Sequence, residues 1–513
     1  SFKKLYTYFL KKVIEQEKSQ ETEGIWIKYE QGSDYHPLLE SLQGKNTGWC
    51  TAGENVAKQQ LENGDFYIYY TKDKNNEYKN PRIAIRMDGK STIGEIRGIA
   101  KDQNLESSME RILDEKLEEF PDKENYQKKV SDMKHLTILE KKQEQGLEFS
   151  IDDLTFLYEI NNKIEGFGWK TDPRIREIIQ KRNQKQDLSN IFKVSEKEIA
   201  TDSSEFYENE NIRLFYGNLD WSDEENVPSH FSKLQVIFGN ARFDSLTSAE
   251  GLESLQYIEG EANFRSLISA EGLSSLQNIG DYAYFPRLTN AKGLESLQYI
   301  EGAAYFGGLT NAEGLSSLKN IGGTANFTKL TSAEGLNSLQ NIEGGVYFRS
   351  LTNAKGLESL RHIGKDADFL SLTSAEGLSS LQNIGGRANF PSLTSAEGLN
   401  SLQNIEGGVY FRSLTNAKGL ESLQHIVGDA SFPSLTSAEG LESLQTINKD
   451  ANFANLTNAK GLESLRHIGR GAYFYSLTSI KGLESLQYIG GKAHFKSLTN
   501  IKEKNQISSR RNH

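Results

Sequence analysis

The residues best suited to covalent chemistry lie around Cys50, in the segment Trp49-Cys50-Thr51. A cysteine near the start of a helix can have a lowered thiol pKa, which makes its thiolate a nucleophile. Such a nucleophile needs a histidine base, and the candidates are His36 just upstream and His135 in a predicted helix. One hypothesis is therefore a cysteine-dependent enzyme that uses Cys50 with His36. The alternative, which we favour, is a buried structural cysteine, because free cysteines are usually buried.

Other sequence motifs that carry chemistry are missing. The chain has no phosphate-binding G-x-x-x-x-G-K-[ST], no H-E-x-x-H and no C-x-x-C, which are the patterns of nucleotide, zinc and redox sites. His362, His425 and His467 occupy the same position in different copies of a repeat. They stand two or three coils apart, about 10 to 14 Å at strand spacing, whereas one metal needs ligands at about 2 Å. We expect no metal site and no cofactor.

One position of the repeat carries residues suited to recognition. It lies between two apolar residues of a predicted strand, so its side chain points outward, and tyrosine and asparagine dominate it. Tyrosine, asparagine and arginine offer large contact areas and adaptable hydrogen bonds. The alternative is a stacked Asn and Tyr ladder that stabilises the coils without any ligand. The predicted ligand-binding face consists of Tyr284, Tyr305, Tyr347, Tyr410, Tyr473, Asn326, Asn389, Arg349 and Arg412.

These residues belong to a strict repeat of 21 residues, L-T-[SN]-A-[EK]-G-L-x-S-L-x-x-I-x-x-x-A-x-F-x-x. Within one copy the apolar positions Leu336, Leu339, Ile342, Val346 and Phe348 fit a coil with one short strand, not a helix. A single coil cannot bury these side chains, but stacked coils can. The period therefore predicts a β-rich solenoid of about 13 coils over 231–502.

Two further features of the repeat have structural explanations. A glycine, such as Gly377, precedes a core leucine in every copy and predicts a bend with positive φ or a close approach of neighbouring backbones. The residue before it alternates between Glu and Lys and predicts an exposed charged edge. The stretch 330–360 recurs letter for letter at 393–423, which indicates that a block of three coils was copied whole.

The repeat, as in GLSSLQNIGGRANFPSLTSAEGL at 377–399, resembles the leucine-rich repeats, and among them the receptor L-domain-like type. The resemblance covers about 231–502, which is over half of the chain. It departs from the family pattern because Ala and Phe stand where Leu and Ile usually occupy the strand. The resemblance implies binding of proteins or other extended ligands, and seldom catalysis.

The rest of the chain has a different character. The segments DFYIYYT, PRIAIRM and TIGEIRGI predict three strands after a loop and helix at 45–64, and the apolar spacing of the first 14 residues predicts an amphipathic helix. The predicted fold class is thus an α+β N-terminal domain and helical linker followed by a leucine-rich-repeat solenoid. The predicted limits are an α+β domain over 1–125, a helical linker over 126–195, a solenoid cap over 196–230, the solenoid over 231–502 and a basic tail over 503–513.

The composition of the chain limits the classes of binding partner and the location that can be expected. The formal net charge of −11 disfavours a general nucleic-acid binder, which needs excess cationic side chains. No run of 18 apolar residues is present, so no membrane-spanning helix is predicted. A single cysteine and the lack of a signal-peptide pattern favour a cytoplasmic location. Because residue 1 is Ser and not Met, a preceding targeting segment is an open alternative.

Three functional hypotheses follow. The favoured one is a binding scaffold that engages a protein or glycan along the strand face of the solenoid. The second is the cysteine-dependent enzyme, with the solenoid selecting its substrate. The third is a structural spacer, which the verbatim copies support but the varied outward position does not. The sequence indicates neither the ligand nor the oligomeric state.

Overall fold

The computed structural model describes residues 22–43, 53–99, 105–160, 162–166, 171–500 and 502–503. The chain divides into two compact units, Ser1–Ile191 and Phe192–His513. The helix expected near the N-terminus, Cys50 and the tail beyond 503 lie outside the described residues. The finer domain limits given above stay predictions.

The first unit contains a four-stranded antiparallel sheet whose strands follow one another in chain order. The three predicted strands are confirmed, and a fourth, Gly24–Tyr29, pairs with the first of them at the sheet edge. The sequence did not reveal this edge strand because its isoleucines, Ile25 and Ile27, are exposed rather than buried. The strands are Gly24–Tyr29, Phe66–Lys72, Tyr78–Asp88 and Thr92–Gly98.

Both faces of this sheet are covered, because successive residues of a strand point to opposite sides. Phe66 and Ile68 pack in one apolar cluster, while Tyr67 and Tyr69 pack in another. Other strand residues and the first four helices supply most of the rest of both clusters. The described residues before 193 form seven helices. They are His36–Leu42, Glu54–Asn63, Glu110–Leu117 after the 3-10 turn Ser107–Met109, Lys123–Glu144, Ile151–Leu157, Pro173–Gln180 and Gln184–Phe192.

The second unit is a β-solenoid of about 13 coils spaced 21 residues apart, as the repeat predicted. Each coil supplies one short strand to each of two parallel sheets, so the single strand expected per coil is corrected to two. The first-sheet strand, such as Asn341–Ile342, was missed because its single buried isoleucine has no second apolar residue two positions away to show an alternating pattern. The sheets have 15 and 14 strands.

The strands of the first sheet are Ile199–Ala200, Leu214–Tyr216, Val236–Phe238, Tyr257–Ile258, Asn278–Ile279, Tyr299–Ile300, Asn320–Ile321, Asn341–Ile342, His362–Ile363, Asn383–Ile384, Asn404–Ile405, His425–Ile426, Thr446–Ile447, His467–Ile468 and Tyr488–Ile489. Those of the second sheet are Leu219–Asp220, Ala241–Arg242, Ala262–Asn263, Ala283–Tyr284, Ala304–Tyr305, Ala325–Asn326, Val346–Tyr347, Ala367–Asp368, Ala388–Asn389, Val409–Tyr410, Ala430–Ser431, Ala451–Asn452, Ala472–Tyr473 and Ala493–His494. All neighbouring strands pair in register, so equivalent residues of successive coils form continuous columns.

The interior of the solenoid is one apolar core. Leu336, Leu339, Ile342, Val346 and Phe348 have no exposed surface, and their equivalents in most coils are buried as completely. From the first complete coil onward, the phenylalanine rings of successive coils have centroids 5.0 to 5.6 Å apart. Each coil therefore depends on its neighbours for the burial of its apolar side chains.

The recurrent glycine meets both conditions that the sequence suggested. Gly377 has a φ of 105°, which glycine adopts without the steric cost that other residues have. A Cβ at this position would lie 2.1 Å from the carbonyl oxygen of Ala354 in the preceding coil. A side chain here is therefore excluded by backbone conformation and by space.

Aromatic residues close the N-terminal end of the solenoid. The helix Ser203–Glu208 places Phe206 in the core, where its ring meets Phe215 and Phe231 edge-on at 5.5 and 4.8 Å. Two 3-10 turns, Glu196–Glu198 and Ser229–Lys233, complete this region. The first coil thus has an apolar neighbour on its outer side.

Candidate ligand-binding face

The second sheet carries one outward position in each coil, between a buried Ala or Val and a buried Phe. We call it the tyrosine–asparagine column. Its side chains are half-buried, apart from the exposed Arg242 at its start. The column consists of Arg242, Asn263, Tyr284, Tyr305, Asn326, Tyr347, Asp368, Asn389, Tyr410, Ser431, Asn452, Tyr473 and His494.

Some neighbours within this column contact each other. The rings of Tyr284 and Tyr305 lie 5.7 Å apart at 66°, and those of Tyr473 and His494 stack at 5.1 Å and 7°. Aromatic pairs at these distances stabilise adjacent strands. The tyrosines therefore contribute to the cohesion of the coils, whatever else they bind.

Three of the predicted residues are joined through Asp368. The Arg349 guanidinium lies 5.1 Å from the ring centre of Tyr347, and its Nε donates to Asp368 Oδ2 at 2.8 Å. Asn389 Nδ2 donates to the other carboxylate oxygen at 2.9 Å. The sequence placed Asp368 in the column but did not single it out, because its role depends on an arginine of the preceding coil.

Arg412 is the equivalent of Arg349 in the second verbatim copy, and it is exposed. The next coil has Ser431 where the first copy has Asp368, so the carboxylate that holds Arg349 has no counterpart there. Two arginines with the same local sequence thus differ in how firmly they are held. Arg412 is the better placed of the two to bind a ligand.

Two of the tyrosines lie over glycines of their own coil. A Cβ added at Gly408 would be 3.2 Å from the hydroxyl oxygen of Tyr410, and one added at Gly471 would be 2.9 Å from that of Tyr473. The rings therefore extend along the strand across a position that lacks a side chain. Asn326 is held differently, since its Oδ1 accepts from the backbone N–H of Thr328 at 3.1 Å.

The first sheet has an outward column of its own, which sequence reasoning did not recognise as a face. The signal was present, because a variable polar residue precedes the invariant isoleucine of each coil. Asn341 Nδ2 donates to Asn320 Oδ1 at 2.9 Å, and the rings of His467 and Tyr488 stack at 4.8 Å. The members from the first complete coil onward are Tyr257, Asn278, Tyr299, Asn320, Asn341, His362, Asn383, Asn404, His425, Thr446, His467 and Tyr488.

The three histidines that share one repeat position, His362, His425 and His467, belong to this first-sheet column. His425 Nδ1 lies 3.0 Å from Thr446 Oγ1, and His467 stacks on Tyr488, so both make contacts within the ladder. Among the residues that the structure describes, no three His, Cys, Asp or Glu side chains are grouped closely enough to hold a metal ion.

The Glu and Lys position forms exposed ion pairs between coils. Lys292 Nζ lies 3.0 Å from Glu271 Oε1, and Lys418 Nζ lies 3.0 Å from Glu397 Oε1. In each pair the lysine bonds the glutamate of the preceding coil. These side chains are more than half exposed, and pairs of this kind contribute little stability.

In the first unit, His36 is held by a carboxylate. Its Nδ1 lies 2.6 Å from Asp34 Oδ1, and its ring stacks on Tyr35 at 4.3 Å. The hydrogen bond to Asp34 raises the pKa of His36. Cys50 lies outside the described residues, so its pairing with His36 stays a prediction.

The other candidate histidine, His135, has a structural environment. Its Nε2 lies 3.1 Å from Asp153 Oδ1 and its ring stacks on Phe156 at 4.1 Å. Burial favours the neutral form of Asp153, but hydrogen bonds from Lys142 and Ser150 outweigh it and lower the pKa of that carboxyl. His135 thus belongs to the contacts that fix the helix Ile151–Leu157 against the helix Lys123–Glu144.

Within the described part of the chain, no helix is both long enough and apolar enough to cross a membrane. Comparison with protein-family models gives no match for this chain, and comparison with curated proteins gives none either.

Proposed function

We propose that this protein is a binding scaffold that engages a protein or glycan through the tyrosine–asparagine column of its second sheet. The observation that carries the proposal is the placement of five tyrosines, half-buried and in register, on a sheet whose coils are fixed by a continuous core. A rigid surface loses little conformational entropy on binding. Tyrosine combines large contact area with a polar tip and few rotatable bonds.

We further propose that the coils are of the leucine-rich-repeat type, close to the receptor L-domain-like form. The L-x-x-L-x-x-I framework supports this assignment, since Leu336, Leu339 and Ile342 are all core residues. Such repeats bind extended ligands along a face of parallel strands. The face proposed for this protein also lies on a sheet of parallel strands.

The roles of the candidate residues differ. Tyr284, Tyr305, Tyr347, Tyr410 and Tyr473 would supply apolar contact, and Asn326 and Asn389 would supply hydrogen bonds. Arg412 would pair with an acidic or polar group of the ligand, because Ser431 leaves its guanidinium without the carboxylate present in the other copy.

The experiment compares the full chain with its double variant Tyr347→Ser/Tyr410→Ser, tested against a glycan array and immobilised candidate proteins. We expect ligand binding to fall at least about tenfold while the melting temperature changes by only a few degrees. Tyr299→Ser on the first sheet is the matched control and should bind normally. A large drop in melting temperature with unchanged binding would instead identify the column as a purely structural ladder.

A second candidate function is a cysteine-dependent enzyme in the first unit. The observation that favours it is the short contact of His36 with Asp34, since a carboxylate that orients a histidine is part of the usual activation of a nucleophile. An activity-based thiol probe applied to the full chain should label Cys50, and His36→Ala should slow the labelling. Equal labelling rates in the two proteins would contradict this assignment.

A further inference from the structure

The tyrosine–asparagine column has a longer period than the coil itself. Its residues recur every 63 positions, which is three coils. The first member of each group of three is always asparagine, and the second is always tyrosine, while the third varies. The asparagines are Asn263, Asn326, Asn389 and Asn452; the tyrosines are Tyr284, Tyr347, Tyr410 and Tyr473; the third positions hold Tyr305, Asp368, Ser431 and His494.

Copying of blocks of three coils explains the period, and the exposed Glu and Lys position repeats in the same way, with Lys292, Lys355 and Lys418 at this spacing. Other exposed positions of the same coils have changed. In the first-sheet column, the position that shares a coil with the asparagines reads Tyr257, Asn320, Asn383 and Thr446. The position after the phenylalanine in the tyrosine coils reads Pro286, Arg349, Arg412 and Tyr475. Whatever its origin, the result is a surface on which the Asn and Tyr pair recurs unchanged while some neighbouring positions differ.

The spacing of the pairs sets a length that a ligand can match. Parallel strands lie about 4.8 Å apart, so three coils extend about 14 Å along the sheet. Four pairs of the same residue types at this spacing form a periodic surface, which favours a ligand that is itself periodic. We propose, resting on the function proposed above, that this face binds a linear, uncharged polysaccharide, with successive Asn and Tyr pairs contacting successive segments of one chain.

The tyrosine geometry suits a sugar. In the last three groups, the residue two before the tyrosine is glycine, at Gly345, Gly408 and Gly471. The hydroxyl groups of Tyr410 and Tyr473 lie over their glycines, a packing that lays the ring along the strand. One face of Tyr473 is covered by His494, but the exposed part of each half-buried tyrosine ring offers apolar contact to the C–H side of a pyranose. The nearby asparagine amide can bond a sugar hydroxyl, since it both donates and accepts.

The same face is less suited to an extended polypeptide. The backbone of the second sheet is already used between coils, because Val409 N donates to Asp429 O at 2.7 Å and Phe411 N to Ser431 O at 2.9 Å. A peptide therefore cannot add as a strand across this face. The Asn and Tyr pairs are also uncharged, and Asp368 is neutralised by Arg349, so these positions offer a strongly charged polymer no ionic partner. The exposed Arg412 would donate to a hydroxyl group of the sugar.

In the experiment, cello-oligosaccharides and chito-oligosaccharides of increasing length are titrated into the full chain. Calorimetry measures the binding affinity of each oligomer. For at least one series, we expect affinity to rise by about tenfold or more once the oligomer spans two Asn and Tyr pairs, because the second contact is then intramolecular. Tyr347→Ala and Tyr410→Ala should each reduce binding of the long oligomer equally, and the double variant should reduce it further. Tyr299→Ala on the first sheet is the control, and thermal melts of all variants test folding.

Several outcomes would overturn the inference. These are failure of both series to bind, affinity that does not depend on length, or an equal loss in Tyr299→Ala. Binding of a polypeptide that depends on Tyr347 and Tyr410 would also overturn it, yet would leave the proposed scaffold function intact. Loss of all binding by the face, to sugars and proteins alike, would contradict both.

Discussion

The stretches 330–360 and 393–423 are identical in sequence, yet they are not identical in their surroundings. Their interiors match, since Phe348 and Phe411 are both fully buried and both lie 5.4 Å from the ring of the next coil. Their outer surfaces differ, because Arg349 bonds Asp368 whereas Arg412 faces Ser431 in the following coil. The interior of a coil is thus set by the repeat, and its surface is set by the neighbour.

Buried and outward positions of the repeat should therefore respond differently to substitution. A buried residue meets the same side chain of the next coil everywhere, so substitutions there should have equal effects in both copies. Some outward residues, such as Arg349 and Arg412, meet different neighbours in the two copies, so their effects on stability should differ. The two copies therefore form an internal control for one another.

The largest effect is expected at the bend glycine. Gly335→Val and Gly398→Val each place a side chain at a φ near 105° and within 2.3 Å of a carbonyl oxygen of the preceding coil. Strain and clash together should cost on the order of 3 kcal/mol or more, equally in both copies. Urea unfolding followed by circular dichroism measures this loss. Glu334→Ala, one residue earlier, is the control, and equal tolerance of both changes would refute the bend.

The next largest effect is expected in the phenylalanine stack. Phe348→Ala and Phe411→Ala should each reduce the free energy of unfolding by about 3 to 5 kcal/mol, because each leaves a cavity between two rings. Since both rings have neighbours on both sides, the two losses should agree. A marked disagreement between the copies in the same urea experiment would show that the coils do not share one interior.

The features that could be predicted from the sequence are those that repeat. The solenoid, its period, Gly377 and the buried Phe348 all recur in every coil, and a buried column needs the same residue at each level. This is why the pattern indicates the core without any knowledge of the turns. The outward position of Tyr347 followed from its place between two core residues.

The features that escaped prediction depend on contacts between different coils or belong to strands without an alternating apolar pattern. The strand Asn341–Ile342 has no second apolar residue two positions from its isoleucine, and the edge strand Gly24–Tyr29 exposes its isoleucines. The role of Asp368 depends on Arg349, which lies 19 residues earlier in the preceding coil. No local sequence pattern links such residues. The positions that form the candidate face could therefore be predicted, but the hydrogen bonds and ion pairs between them could not.

The smallest effect on stability is expected at the two arginines. Arg349→Ala removes a partly exposed ion pair and should cost less than about 1 kcal/mol, whereas Arg412→Ala should leave stability unchanged. Ser431→Asp should then give the second copy the bond of the first, so that Arg412→Ala in that background costs as much as Arg349→Ala. A double-mutant cycle from urea unfolding measures both couplings. Equal costs of the two arginine substitutions in the natural sequence would show that the neighbouring coil does not determine how the surface is held.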